Sequence, residues 1–137
     1  MSLSETLQVL NVGYEPIDHD HQEFIDLLDR LDKASNSDFP LLFQTLYQHC
    51  EHHFELENEL MRRTSFPAQT EHIGEHMRVL GEIRQFKTRV DKGLLPFGRA
   101  FVKERLPSWF QLHVSTMDSA LAVYVKSSDP VPQSTER

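Results

Sequence analysis

Apolar residues recur at steps of three and four along most of the chain, the spacing that lines one face of an α-helix. Phe24, Leu27, Leu28 and Leu31 form the first such stripe, with His21 on the same face and Asp18 as the expected N-cap. Asn36, Ser37 and Asp38 predict a turn, and Pro40 sits where a first helical turn tolerates it. A second stripe of Leu42, Leu46, His49, His53, Glu57 and Leu60 predicts a helix running to about Arg63, broken by Ser65 to Pro67. The third, His72, His76, Val79, Leu80, Ile83, Phe86 and Val90, ends at Gly93. Pro96 and Pro107 bracket the next stretch, where Pro107 either starts the last helix or kinks a longer one. Trp109, Phe110, His113, Met117, Leu121 and Tyr124 mark the fourth stripe.

No segment alternates in the manner of a strand, and short turns between the first three helices make neighbours antiparallel. The expected fold is therefore all-α, an antiparallel up-down four-helix bundle spanning residues 1–126. Residues 127–137 are polar, hold two prolines and are expected to form a disordered tail.

Composition narrows the setting. A chain of 137 residues with 39% apolar and 26% charged residues is long enough for one packed domain. With 21 acids against 14 bases and a formal charge of −7, nucleic acid and anionic membrane surfaces are unsuited as partners. No apolar run reaches membrane-spanning length and no secretory pattern opens the sequence, so a cytoplasmic location is expected. Cys50 is the single cysteine; it is read as a small buried hydrophobe and cannot form an internal disulfide.

The chemistry lies where the stripes carry polar residues. His72 and His76 are four apart, as are His53 and Glu57, so each pair projects from one helix face and can meet one cation. Adding His21 and His113 gives metal-competent side chains from all four helices, pointing inward where an unpartnered polar group is costly. A zinc site takes three or four ligands, so six or seven convergent groups imply two metals or several unused histidines. Carboxylates bridge metals and imidazoles fill the outer positions of iron, a donor set that suits a di-iron centre in the bundle core.

The order and spacing resemble the hemerythrin family, particularly its bacterial single-domain members. The matching segments are Ile17-Asp18-His19-Asp20-His21, His53-Phe54-Glu55-Leu56-Glu57 with Met61 following, His72-x-x-x-His76, and Trp109-x-x-x-His113-x-x-x-x-Asp118. The resemblance implies that His72, His76 and His113 hold one iron, that His21 and His53 hold the other, and that Glu57 and Asp118 bridge them. It further implies two non-haem iron ions with a bridging oxo or hydroxo group, and dioxygen as the ligand of an open position on the second iron. Asp118 enters by resemblance alone. Five residues past His113 is about 140° around an α-helix, and periodicity selects Met117 instead.

Phe54, Trp109, Phe110 and Val114 stand beside these ligands and are expected to wall a dry cofactor pocket as well as pack the core. Five histidines to two carboxylates is a donor set poorer in charge than the carboxylate-rich di-iron sites, which favours reversible two-electron transfer to O₂ over oxygen activation. Two departures from the family bear on oxygen access: no tryptophan lies near the N-terminus, and Phe110 stands where an aliphatic residue is usual. His49 is read as structural, and His19 and His52 as surface residues. Rival readings are a redox enzyme acting on peroxide or nitric oxide at the same centre, a zinc hydrolase using His72-x-x-Glu75-His76 with Glu75 as base, and a metal-free bundle whose histidines merely pack.

Overall fold

The computed structural model describes residues 11–128. Four helical rods are joined by the short turns 34–38, 64–68 and 92–94, and no strand occurs among the described residues. We number them α1 (Glu15–Lys33), α2 (Phe39–Arg63), α3 (Gln69–Asp91) and α4 (residues 95–128). The expected all-α four-helix bundle is the observed architecture. The first two residues of the expected tail, Ser127 and Ser128, complete α4, and the remainder lies outside the described residues. No described helix is long and apolar enough to cross a membrane.

One end differs from the expectation, and a second is decided between its two alternatives, for local reasons. α1 begins at Glu15, with Tyr14 as N-cap and Pro16 in its first turn. Asp18 is already inside the helix, where its carboxylate reaches back to accept from the backbone N–H groups of Val12 (2.8 Å) and Gly13 (3.0 Å). An aspartate that satisfies backbone donors ahead of it looks, in sequence, like an N-cap. Pro107, for its part, lies inside a longer helix, as the second of its two expected placements had it, instead of starting the last one. α4 runs as α-helix Leu95–Ala100, π-helix Phe101–Arg105, α-helix Leu106–His113, π-helix Val114–Asp118 and α-helix Ser119–Ser128. The first π segment lies where the Pro107 ring would meet the carbonyl of Lys103 in an α-helix, and its wider turn absorbs that clash.

The turns follow their chemistry. At the end of α3, Gly93 takes φ +88, donates to Val90 O (2.9 Å), and lets Leu94 donate to Arg89 O (2.9 Å). This is the paired bonding of a glycine-terminated helix. The end of α2 repeats it with Ser65 in the left-handed region at φ 55 and Phe66 donating to Met61 O. Arg99 donates to Ala34 O and Tyr124 to Thr64 O, pinning α4 to the two turns it passes.

Gly98 is buried where α4 crosses α3, and a β-carbon there would lie 2.5 Å from Val90 Cγ2 and 3.3 Å from Phe39 Cε2. Gly98→Ala is expected to cost about 1–3 kcal/mol through overpacking, read as a lower urea midpoint with unchanged slope.

The four helices pass through the same layers, in opposite order on antiparallel neighbours. One apolar cluster includes Phe24, Leu28, Phe54, Val79, Phe110 and Val114; a second holds Ile17, Met61, Phe66, Leu121 and Val125. The buried polar residues, His21; His53 and Glu57; His72 and His76; His113 and Asp118, lie where each rod passes from one cluster to the other, with Phe54 and Val114 next to His53 and His113. A polar layer is thus inserted between two hydrophobic plugs.

Candidate metal centre

All seven residues expected to bind metal are brought together. Glu57, His72, His76, His113 and Asp118 offer ligand atoms within 4.8 Å of one another, and so do His21, His53, Glu57 and Asp118. The two groups share both carboxylates. The side chains of His72, His76, Glu57 and Asp118 are no more than 2% exposed.

The carboxylate oxygens divide between the groups. Glu57 turns Oε1 toward His76 Nε2 (3.1 Å) and His72 Nε2 (3.4 Å), and Oε2 toward His53 Nε2 (2.8 Å). Asp118 turns Oδ1 toward His72 Nε2 (3.1 Å) and His113 Nε2 (3.2 Å), and Oδ2 toward His21 Nε2 (2.9 Å). His72 Nε2 and His113 Nε2 also face each other at 3.2 Å. Each acid therefore presents one oxygen to each set of imidazoles.

Asp118 reaches this layer because of the second π segment. Bonding from i to i+5 widens the turn, so residues five apart come nearly into line. His113 and Asp118 are five apart across Val114–Asp118, and Asp118 is 1% exposed. Met117, favoured by α-helical periodicity, is only half-buried.

Whether these residues fit a metal is tested by their hydrogen bonding. Nine buried polar atoms among the described residues have no hydrogen-bond partner, and all nine belong to His21, Glu57, His72, His76, His113 and Asp118. One pair of them, His21 Nε2 and Asp118 Oδ2, lies 2.9 Å apart yet is not aligned for a hydrogen bond. Folded proteins leave few such atoms, and each costs about 1–3 kcal/mol when buried alone. Their concentration at one point, as lone pairs on imidazoles and carboxylates, is what a cation would satisfy. The residues present fit a metal site.

Charge in the cluster follows the same logic. Burial alone would keep His53 neutral, but the Glu57 charge beside it and the hydrogen bond to Asp20 outweigh it and push the imidazole up to about 10. His72 rises to about 9 against its burial because the Asp118 and Glu57 carboxylates lie beside it. His76 is held below the usual range, chiefly by burial. The histidines hold Glu57 and Asp118 low despite burial that would raise both. A metal is held by unprotonated imidazoles, so acid opposes its binding here.

Sequence reasoning missed two supporting groups. His53 Nδ1 donates to Asp20 Oδ2 (2.9 Å) and His76 Nδ1 donates to Asn58 Oδ1 (2.8 Å), which turns each Nε2 inward. The available signal was adjacency: Asp20 precedes His21 and Asn58 follows Glu57. Asp20→Ala is expected to weaken metal retention about 10–100-fold in the half held by His53, and Asn58→Ala in the half held by His76. Competition against a graded chelator series, with metal counted per chain, reads this difference.

The aromatic neighbours are placed against the imidazoles. Phe54 stacks on His76 (4.2 Å between centroids), Trp109 on His113 (4.5 Å), and Phe110 meets His21 edge-on (5.1 Å), with Val114 buried beside His113. Trp109 is oriented by donating Nε1–H to Glu75 Oε2 (2.6 Å). Arg78 and Trp109 bind the Glu75 carboxylate and hold it at about 2, so it makes a poor base for the zinc-hydrolase reading. Cys50 is buried and its thiol is pushed up by burial. His19 and His52 are exposed.

Comparison with known proteins follows the geometry. The sequence profile of the Hemerythrin HHE cation binding domain matches residues 12–125. A curated protein named bacteriohemerythrin, from Ralstonia nicotianae, is 32% identical over 130 residues, covering 95% of this chain and 94% of that protein. No solved structure matches the chain significantly.

Proposed function

The chain belongs to the hemerythrin HHE cation binding family, and from that premise we propose that it binds dioxygen reversibly at a non-haem di-iron centre. The observation that carries this reading is the division of the Glu57 and Asp118 oxygens between two sets of imidazoles. His72, His76 and His113 would hold one iron, His21 and His53 the other, and the two carboxylates would bridge, with an oxo or hydroxo group completing the cofactor. Two ferrous ions there supply the pair of electrons that dioxygen takes on binding and returns on leaving.

The chain's own residues do the rest. The set with His72, His76 and His113 offers three imidazoles and the set with His21 and His53 only two, so the second leaves a coordination position for a diatomic ligand. Beside it lies a pocket of about 10 Å³, walled by Phe24, Phe54, Phe110, His21, His53 and Asp118. So small a pocket suits a diatomic ligand better than a bulky substrate. Phe54, Trp109, Phe110 and Val114 exclude bulk water and the protons it carries, which favours release of the ligand unchanged over its reduction. Asp20 and Asn58 fix the tautomers of His53 and His76.

Iron analysis joined to oxygen-electrode titration tests the proposal. Two irons per chain and one O₂ taken up per pair, recovered under vacuum, are expected; one zinc per chain with no O₂ uptake would refute it.

A further inference from the structure

The pocket beside His21 and His53 is narrow and set among the helices, and a ligand needs a way in. Among the cavities described, two share a wall residue with it. A surface cleft of about 330 Å³, lined by Glu23, Asp26, Leu27, Arg30, Thr45 and His49, meets it at His49 alone. A second surface cavity, of about 230 Å³ and lined by Tyr14, Ile17, Leu56 and Leu60 among others, meets it at His53.

These two walls differ in freedom. His53 is anchored by the hydrogen bond from Nδ1 to Asp20 (2.9 Å) and has its Nε2 2.8 Å from the Glu57 carboxylate, so it does not swing. His49 belongs to neither ligand group. Its ring lies parallel to that of His53 (6.2 Å, 7°) and rests near Phe24 (6.4 Å), with one 3.2 Å hydrogen bond from Nε2 to the Asp20 carbonyl. Its side chain is 15% exposed, and Glu23, 4.0 Å away in the cleft, offers a partner for a ring turned outward.

We propose that the His49 imidazole is the gate through which dioxygen passes between the surface cleft and the narrow pocket beside His21 and His53. This rests on the reading that the centre binds O₂. A gate sets the barrier on the path, so it alters the rates of entry and exit by the same factor and leaves their ratio, the affinity, unchanged. A merely structural role for His49, propping His53, would instead change affinity or iron content.

The test uses iron-loaded protein and stopped-flow O₂ uptake and release. His49→Ala is expected to raise both rates together, on the order of 10-fold, the effect of deleting one hydrogen bond from a barrier, with iron content and affinity unchanged. Thr45→Trp fills the cleft from an exposed position and is expected to slow both rates, whereas Leu56→Trp in the other cavity leaves them unchanged. A readout independent of oxygen chemistry is the sole cysteine, which lines the same pocket. Methyl methanethiosulfonate is expected to label Cys50 in iron-loaded His49→Ala faster than in wild type, at equal melting temperature. Unchanged rates and labelling in His49→Ala, or slowing by Leu56→Trp but not Thr45→Trp, would overturn the gate. Should His49→Ala fail to fold, the two tryptophan variants decide alone. Wild-type protein that takes up no O₂ would sink the functional reading, while Cys50 labelling would still report on the gate.

Discussion

Glu57→Gln is expected to abolish binding at both halves of the centre at once. Glu57 is the one α2 residue present in both ligand groups, with Oε1 serving His72 and His76 and Oε2 serving His53. Glutamine fills the same volume but substitutes an N–H₂ group for one oxygen and removes the negative charge. Whichever way the amide turns, one group loses its oxygen and meets a donor instead. The remaining imidazoles then crowd together without a compensating anion. Retention of iron should fall on the order of 100-fold or more, beyond the effect of the supporting residues Asp20 and Asn58. The measurement is iron per chain after gel filtration, with helix content by circular dichroism as the folding control. Retention of one tightly held iron in Glu57→Gln would show that the two halves do not depend on a shared carboxylate.

His53→Ala is expected to lose all oxygen uptake while keeping about half the iron. The group of His21, His53, Glu57 and Asp118 would keep a single imidazole, too few to hold its ion. The group of His72, His76 and His113 keeps its full set, including the Asn58 bond that orients His76. A remaining single iron cannot supply two electrons to dioxygen. His49→Ala, one helical turn away, keeps both irons and full uptake. Equal loss of uptake from the two variants would mean that the ligands are misassigned.

Much of the bundle is legible in the sequence because it rests on periodicity. The stripes on α1, α2 and α3, and the breaks at 36–38, 65–67 and Gly93, are local rules that one face of apolar residues and a few turn residues write plainly. The convergence of His21, His53, Glu57, His72, His76 and His113 is legible for the same reason: each lies on its helix's inward stripe. What escapes is whatever departs from 3.6 residues per turn or crosses between helices. Asp118 falls off the α-helical stripe and is returned to it by a π segment that no residue pattern announces. The π turn ahead of Pro107 is likewise unannounced, and it decides between the two expected placements by carrying one longer helix through the proline. Asp18 misleads because a helix N-cap and an aspartate reaching back from inside the first turns use the same side-chain chemistry. Asp20 supports a histidine 33 residues away and Asn58 one 18 residues away, contacts that exist only once the helices are packed.

The account's central claim is that two irons in this layer exchange electrons with dioxygen and return it. Its most direct test is the visible spectrum of the purified protein, recorded in air, after dithionite under argon, and after air is readmitted. Charge-transfer bands of ferric iron are expected in air, lost on reduction and restored in full by oxygen over repeated cycles. A protein colourless in air, or one whose bands fail to return after the first reduction, would contradict it.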